Sequence, residues 1–229
     1  QLTQNVAHEL KTPVASIQGY LETIINYPDA PEATKKQFVD RCYAQAQRLT
    51  SLLRDISTLN RIDDAPDLMG KEEVVDIMEL VRGIEKDVHL QLQERHMKFD
   101  NQMPERVLVH GNRSLLYSIF RNLTDNAINY AGEHTTITLR AQLDDDDYIA
   151  GLPQRWKFSF SDNGVGVPAE HLPRLFERFY RVDKGRSRKM GGTGLGLAIV
   201  KNAVLLHGGT ICVTNNLTGG LCFRFTLSE

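Results

Sequence analysis

Two kinds of hydrophobic rhythm divide this chain. Leu10, Val14, Ile17, Leu21, Ile24 and Ile25 recur at the three- and four-residue spacing of one helix face. Tyr27-Pro28-Asp29-Ala30-Pro31 ends that helix, because closely spaced prolines remove backbone donors and crowd the preceding turn. A second stripe, heptad-like with one polar interruption, runs through Phe38, Cys42, Gln45, Leu49, Leu52, Ile56 and Leu59. One hairpin cannot bury both seams. The pattern therefore predicts an antiparallel helical hairpin that pairs through residues 2–62 into a dimeric four-helix bundle.

Asp63-Asp64-Ala65-Pro66-Asp67 is a polar, proline-bearing break, which sets one domain at 1–64, a linker at 65–70 and a second domain at 71–229. Beyond it the pattern mixes α and β. Val74-Val75 reads as a short strand, Ile77, Leu80, Val81, Ile84 and Val88 as a helical stripe, and residues 106–110 as a strand. A second helix spans 114–130, with Leu115, Leu116, Ile119, Phe120 and Leu123 apolar. Residues 135–142 and 155–161 alternate with period two, as strands of one sheet do, and the acidic run 144–147 between them reads as a solvated hairpin loop. A helix at 195–206 precedes a closing hairpin of 210–215 and 221–227, turned at Thr218-Gly219-Gly220.

Composition narrows the class without naming it. The chain has 229 residues, 41% hydrophobic and 24% charged, which is ordinary for a globular protein. A net charge of −2 gives no general drive toward nucleic acid or an anionic membrane. Cys42, Cys212 and Cys222 form no CxxC pair, which argues against a zinc site or disulfide framework and fits a reducing cytosol. No apolar run approaches the roughly 20 residues needed to cross a bilayer. Residues 1–7 lack an initiator Met and read as the inside of a helix, so we expect a fragment whose missing N-terminal region is free to hold membrane spans.

Several residues carry candidate chemistry. His8 lies in His8-Glu9-Leu10-Lys11-Thr12-Pro13, where His8 and Thr12 share a helix face with Glu9 beside them, and Pro13 bends the helix one turn beyond. A neutral imidazole is a competent nucleophile, and a neighbouring carboxylate can fix its tautomer or take its proton. The hexapeptide alone fits an exposed histidine beside a solvating glutamate better than it fits a nucleophile. Asn122, Asn126 and Asn129 fall on one side of a helix, although asparagine is a mediocre helix former. Their carbonyl oxygens suit Mg2+ bridging a triphosphate, and a plain polar face would look the same; Asp125 is read as pointing elsewhere.

Two glycine clusters follow. In Asp162-Asn163-Gly164-Val165-Gly166, a strand-end carboxylate sits beside backbone that a ligand can approach closely. Gly164, Gly166 and Ala169 fit a loose dinucleotide pattern, but Pro168 interrupts it and no clean strand follows. Gly192-Thr193-Gly194-Leu195-Gly196 opens a helix and presents its amides and dipole to an anion, without the Gly-Lys-Ser/Thr of a Walker A loop. Upstream, Arg174, Arg178, Arg181, Lys184, Arg186, Arg188 and Lys189 suit a mobile lid over phosphates. A presented imidazole at one end and phosphate-handling elements at the other point to phosphoryl transfer onto histidine.

Taken in this order, the segments resemble the cytoplasmic core of a two-component sensor histidine kinase, over essentially the whole chain. Residues 8–13 look like its histidine box, 122–130 its N box, 162–166 its first glycine box, 176–181 its F box and 192–196 its second glycine box. Each motif is weak alone, and five in order are specific. The resemblance implies an α+β protein, with a dimerisation and histidine phosphotransfer domain followed by an α/β-sandwich ATP-binding domain of the Bergerat type.

The resemblance also implies roles. ATP with Mg2+ would phosphorylate His8 on its outer ring nitrogen, with Glu9 as acid/base, and the phosphoryl group would pass to an Asp of a response regulator. Thr12 would orient water in the reverse, phosphatase reaction. Asn126 would hold Mg2+, Asp162 would accept from the adenine amino group, Tyr130 would sit near the base or ribose, and Arg181 would approach the γ-phosphate. Asn122, Asn129, Gly164, Gly166, Gly192, Thr193, Gly194, Leu195 and Gly196 would complete the nucleotide site. Asn129 stands where the family commonly has a basic residue, so a phosphate contact is lost there or supplied by the lid.

The implied partners are a second copy and a receiver domain, with no nucleic acid. The implied location is cytoplasmic, on a protein anchored in the bacterial inner membrane through its N-terminal region. Two other readings remain open: an ATPase of the same superfamily that drives clamping, and a catalytically weak scaffold that binds a regulator. ATP turnover indifferent to His8→Gln favours the first, and absence of nucleotide binding the second.

Overall fold

The computed structural model describes residues 2–63, 73–144, 154–183 and 192–229. The expected linker at 65–70, all of the acidic run but Asp144, and Lys184, Arg186, Arg188 and Lys189 of the expected lid lie outside the described residues. Helices α1 (Leu2–Asn26) and α2 (Glu32–Asp63) form the hairpin, and α1 runs through Pro13. Tyr20 of α1 stacks on Phe38 of α2 with ring centroids 5.6 Å apart. The α1 stripe splits in two: Leu10, Ile17 and Ile24 are half-buried, while Val14, Leu21 and Ile25 stay exposed. On α2, Leu52, Leu59 and Ile62 are buried in one continuous core with the second domain, and Leu10 and Ile56 pack against it. The hairpin is docked on that domain.

The second domain contains β1 (Glu73–Asp76), α3 (Ile77–Glu94), β2 (Lys98–Asn101), β3 (Leu108–Gly111), α4 (Arg113–Tyr130), β4 (Thr136–Leu143) and β5 (Arg155–Asp162). A 3₁₀ turn (Ala169–Arg174), α5 (Gly196–Leu206), β6 (Ile211–Asn215) and β7 (Leu221–Ser228) follow. The main sheet has the order β2-β4-β5-β7-β6, with β2 parallel to β4 and the other pairs antiparallel. β1 and β3 pair in a separate two-stranded sheet. Sequence periodicity misses β2: Lys98-Phe99-Asp100-Asn101 offers one apolar side chain, and its strand exists by pairing with β4. The strand expected at 106–110 starts at Leu108.

Period-two alternation sends Ile137 and Leu139 of β4 and Trp156, Phe158 and Phe160 of β5 into the layer under the helices. There Phe158 stacks on Phe225 at 5.1 Å and Phe120 of α4 meets both edge-on. The same parity turns Asp162 inward at the end of β5. Asp76 and Asn112 cap α3 and α4 by accepting from Met78 N at 2.9 Å and Leu115 N at 3.2 Å. Asp144 corrects the expected solvated loop: its amide bonds Arg155 O, which draws the carboxylate against β5, where it is buried and paired with Lys157 at 2.6 Å.

Candidate active site

Leu116, Ile119, Phe120, Leu123 and Ala127 bury one flank of α4, which leaves Asn122, Asn126, Asn129 and Tyr130 along the other. These four line a cavity of about 610 Å³, together with Gly166, Arg181, Gly192, Thr193, Gly194 and Gly196. Asp162, Gly164 and Leu195 are not among its lining. Asp125 is, contrary to the expectation that it points elsewhere, and it sits beside the asparagines in an ion pair with Arg121 at 3.0 Å.

Close backbone approach shapes the cavity. A Cβ on Gly196 would lie 2.7 Å from Asn122 Oδ1, so glycine here lets the Asn122 side chain lie against the start of α5. Gly194 adopts φ +75°, and its carbonyl accepts from Phe179 N at 2.7 Å. Phe179 itself is held at φ 65°, a strained backbone for a bulky residue. That pin turns the following segment back on the glycine loop, where Arg181 Nη2 donates to Thr193 O at 2.8 Å. Among the described residues Arg181 Nε is buried without a partner. A buried donor left so is costly, and an anionic oxygen in the cavity is the acceptor it fits.

Asp162 is buried and engaged locally. It accepts from Gly164 N at 2.9 Å and Leu221 N at 3.4 Å, while Asn216 bonds its carbonyl at 3.0 Å. Burial pushes its carboxyl above the usual range, against the pull of those two amides. It also borders a second cavity of about 580 Å³ with Thr136, Thr138 and Arg140.

The hairpin meets the second domain at three carboxylates, of which Asp55 lines the cavity. Glu9 Oε2 accepts from Arg181 and from Arg48 of α2, each at 3.0 Å. Thr193 Oγ1 donates to Asp55 Oδ2 at 2.6 Å, and Arg178 reaches both oxygens of Asp63 at 2.8 and 2.9 Å. His8 is exposed, and Thr12 Oγ1 donates to its carbonyl at 3.2 Å. The described part of the basic stretch thus faces protein carboxylates, since Arg174 also pairs with Glu177 at 3.0 Å.

Residues 111–229 match the family of histidine kinase-, DNA gyrase B- and HSP90-like ATPases, and residues 1–65 match the His Kinase A (phospho-acceptor) domain. The chain belongs to the two-component sensor histidine kinases. It is 33% identical over 226 residues to the phosphate regulon sensor protein PhoR of Haemophilus influenzae, covering 98% of this chain and 50% of that protein. It spans about half the length of the curated relatives it matches. The fold is shared with the Acinetobacter baumannii histidine kinase AdeS, at TM-score 0.73 and 24% identity over 96% of this chain and 97% of that one. It is also shared with histidine kinase ThkA solved in complex with the response regulator TrrA, at TM-score 0.73 and 21% identity over 100% of this chain and 61% of that one.

In this histidine kinase core, α2 supplies residues that motif reading misses. Ser51, Arg54, Asp55 and Thr58 line the same cavity from the hairpin. Burial raises the Asp55 carboxyl, opposed by the Thr193 hydrogen bond and by Arg54. In the sequence these positions are only the polar flank of a heptad-like helix. Among the described residues no helix is long and apolar enough to cross a membrane, and no group of three His, Cys, Asp or Glu stands ready to hold a metal.

Proposed function

We propose that this chain phosphorylates His8 from Mg-ATP and passes the phosphoryl group to an aspartate of a response regulator receiver domain. The single observation that carries the reading is the Glu9–Arg181 contact at 3.0 Å. It joins the carboxylate beside the phosphoacceptor to a cavity lined by the asparagine face and both glycine clusters. Residues 1–64 would be the dimerisation and phosphotransfer domain, and 71–229 the ATP-binding domain. Asn126, with Asn122 beside it, would hold Mg2+, which supplies charge neutralisation on the phosphates. The chain's own groups do the rest: the amides at the start of α5 and the spare Nε of Arg181 bind phosphate oxygens. Asp162 would take the adenine amino group and Tyr130 would lie near the base or ribose.

Transfer onto His8 forms a nitrogen–phosphorus bond as the bond to the ADP oxygen breaks, and Glu9 takes the ring proton. Thr12, one turn along from His8, would orient water for the phosphatase direction. The exposed seam of Val14, Leu21 and Ile25 supports a second copy as partner. A related fold solved with its response regulator supports the receiver domain as the other. Anchoring in the bacterial inner membrane would come through a region outside this chain. The test is incubation with ATP labelled at the γ-phosphate, followed by acid and alkali. We expect acid-labile, alkali-stable label on the wild type and none on His8→Gln; a labelled His8→Gln overturns the reading.

A further inference from the structure

Arg48 projects from α2, with only 8% of its side chain exposed, and its Nη2 lies 3.0 Å from Glu9 Oε2. Arg181, 5% exposed, reaches the same oxygen from the ATP-binding domain at the same distance. Two guanidiniums therefore share one shielded carboxylate oxygen, so either can leave without stranding a buried charge. The two arginines have different anchors. Arg48 belongs to the hairpin, the unit that carries Glu9 and His8. Arg181 belongs to the nucleotide domain, and it holds a spare buried donor, Nε, at the cavity. A γ-phosphate is the stronger anion, and it draws Arg181 toward the cavity.

We propose that Arg48 is a positioning residue for phosphoryl transfer: it keeps the Glu9 carboxylate on the hairpin, beside His8, once Arg181 turns to the phosphate. The proposal rests on the reading that His8 accepts phosphate from ATP. In that step the His8 nitrogen bonds phosphorus, ADP leaves with the electron pair of the broken phosphorus–oxygen bond, and the ring proton passes to Glu9. A Glu9 without Arg48 keeps only the arginine of the other domain and follows it away from the imidazole. Arg48 touches neither substrate nor the reacting atoms, so its effect has to pass through Glu9.

The experiment measures autophosphorylation kinetics of the whole chain for Arg48→Met, Arg48→Lys, Glu9→Gln and the Glu9→Gln/Arg48→Met pair. We expect Arg48→Met to lower kcat by on the order of 10- to 100-fold, within the range of general acid–base assistance, and to leave KM for ATP unchanged. Arg48→Lys should recover most of the loss. The double variant should be no slower than Glu9→Gln alone, because the two residues act as a unit. A wild-type kcat in Arg48→Met, a loss confined to KM, or losses that multiply in the double variant overturns the proposal. If circular dichroism finds Arg48→Met unfolded, Arg48→Gln, which also removes the charge, completes the same cycle in the wild-type and Glu9→Gln backgrounds. Wild-type chain that places no label on His8 sinks the kinase reading and this proposal together; normal wild-type labelling with an indifferent Arg48 sinks this proposal alone.

Discussion

Thr193 of the second glycine cluster donates to Asp55 of α2 across 2.6 Å, which sets a hairpin carboxylate in the wall of the cavity beside the asparagine face. Burial raises that carboxyl and outweighs the Thr193 bond and the nearby Arg54. The protonated form is therefore the one the docked arrangement prefers. Its contribution to docking is complete below the carboxyl's unfolded-state value and is lost as pH rises through the raised folded-state value. Phosphates in the same cavity would raise the carboxyl further.

Asp55→Asn keeps an acceptor for Thr193 and removes the charge. We expect the variant to hold the hairpin on the ATP-binding domain more tightly at neutral pH and to autophosphorylate more slowly. Thermal unfolding of both proteins from acid to neutral pH checks the sign: the advantage of the variant should grow as pH rises. A constant difference contradicts it.

Arg181 links the two domains and carries a donor without a partner among the described residues, so its loss should be felt differently by two nucleotides. For Arg181→Met we expect ATP affinity to fall by roughly 10- to 100-fold, the scale of one or two charge-assisted hydrogen bonds. ADP affinity should fall much less. Calorimetric titration with each nucleotide separates the outcomes, and equal losses would mean that Arg181 does not address the terminal phosphate.

The exposed seam of the hairpin calls for a partner surface. Leu21 is 45% exposed and Ile25 73%, on the flank of α1 turned from its own hairpin contacts. Burying such side chains is worth about 1.5–3 kcal/mol each, so Leu21→Asp/Ile25→Asp should convert a dimer to monomer with helix content unchanged. Sedimentation equilibrium reads this directly. A wild-type chain that is monomeric at micromolar concentration removes the four-helix bundle from the account.

What was legible in the sequence was local. The asparagine flank of α4 follows from a 3.6-residue period, and the inward turn of Asp162 from a two-residue period shared with Phe158 and Phe160. The glycine clusters declare close backbone approach. β2 was not legible, because its strand is made by the neighbour it pairs with rather than by its own side chains. Asp144 misled because an acidic run predicts solvent, and Lys157 on the next strand supplies its counter-charge instead. The docking contacts were hidden for another reason. Glu9 and Arg181 lie 172 residues apart and Asp55 and Thr193 138, so no local pattern encodes either pair.

Two glycines of the site separate stability from binding. A Cβ on Gly164 would overlap the backbone of Ala131 at the end of α4, which cannot rotate aside as a side chain does and whose carbonyl already accepts from Val165 N at 3.3 Å. Overpacking of this kind costs about 1–3 kcal/mol. Gly164→Ala should therefore lower the melting temperature by several degrees, roughly 2–4 °C for each kcal/mol in a domain of this size. On Gly196 the added methyl meets Asn122 Oδ1, the far end of a side chain that can rotate away. Alanine also suits a helix better than glycine. The cost of Gly196→Ala then falls on Asn122, which gives up its 2.8 Å bond to Ser118 O and swings toward the cavity. We expect Gly196→Ala to melt near the wild-type temperature and to bind ADP about tenfold more weakly, a loss of about 1.4 kcal/mol. Scanning calorimetry and ADP titration on both variants check the contrast, and an equal loss of stability in the two would show that Asn122 does not yield.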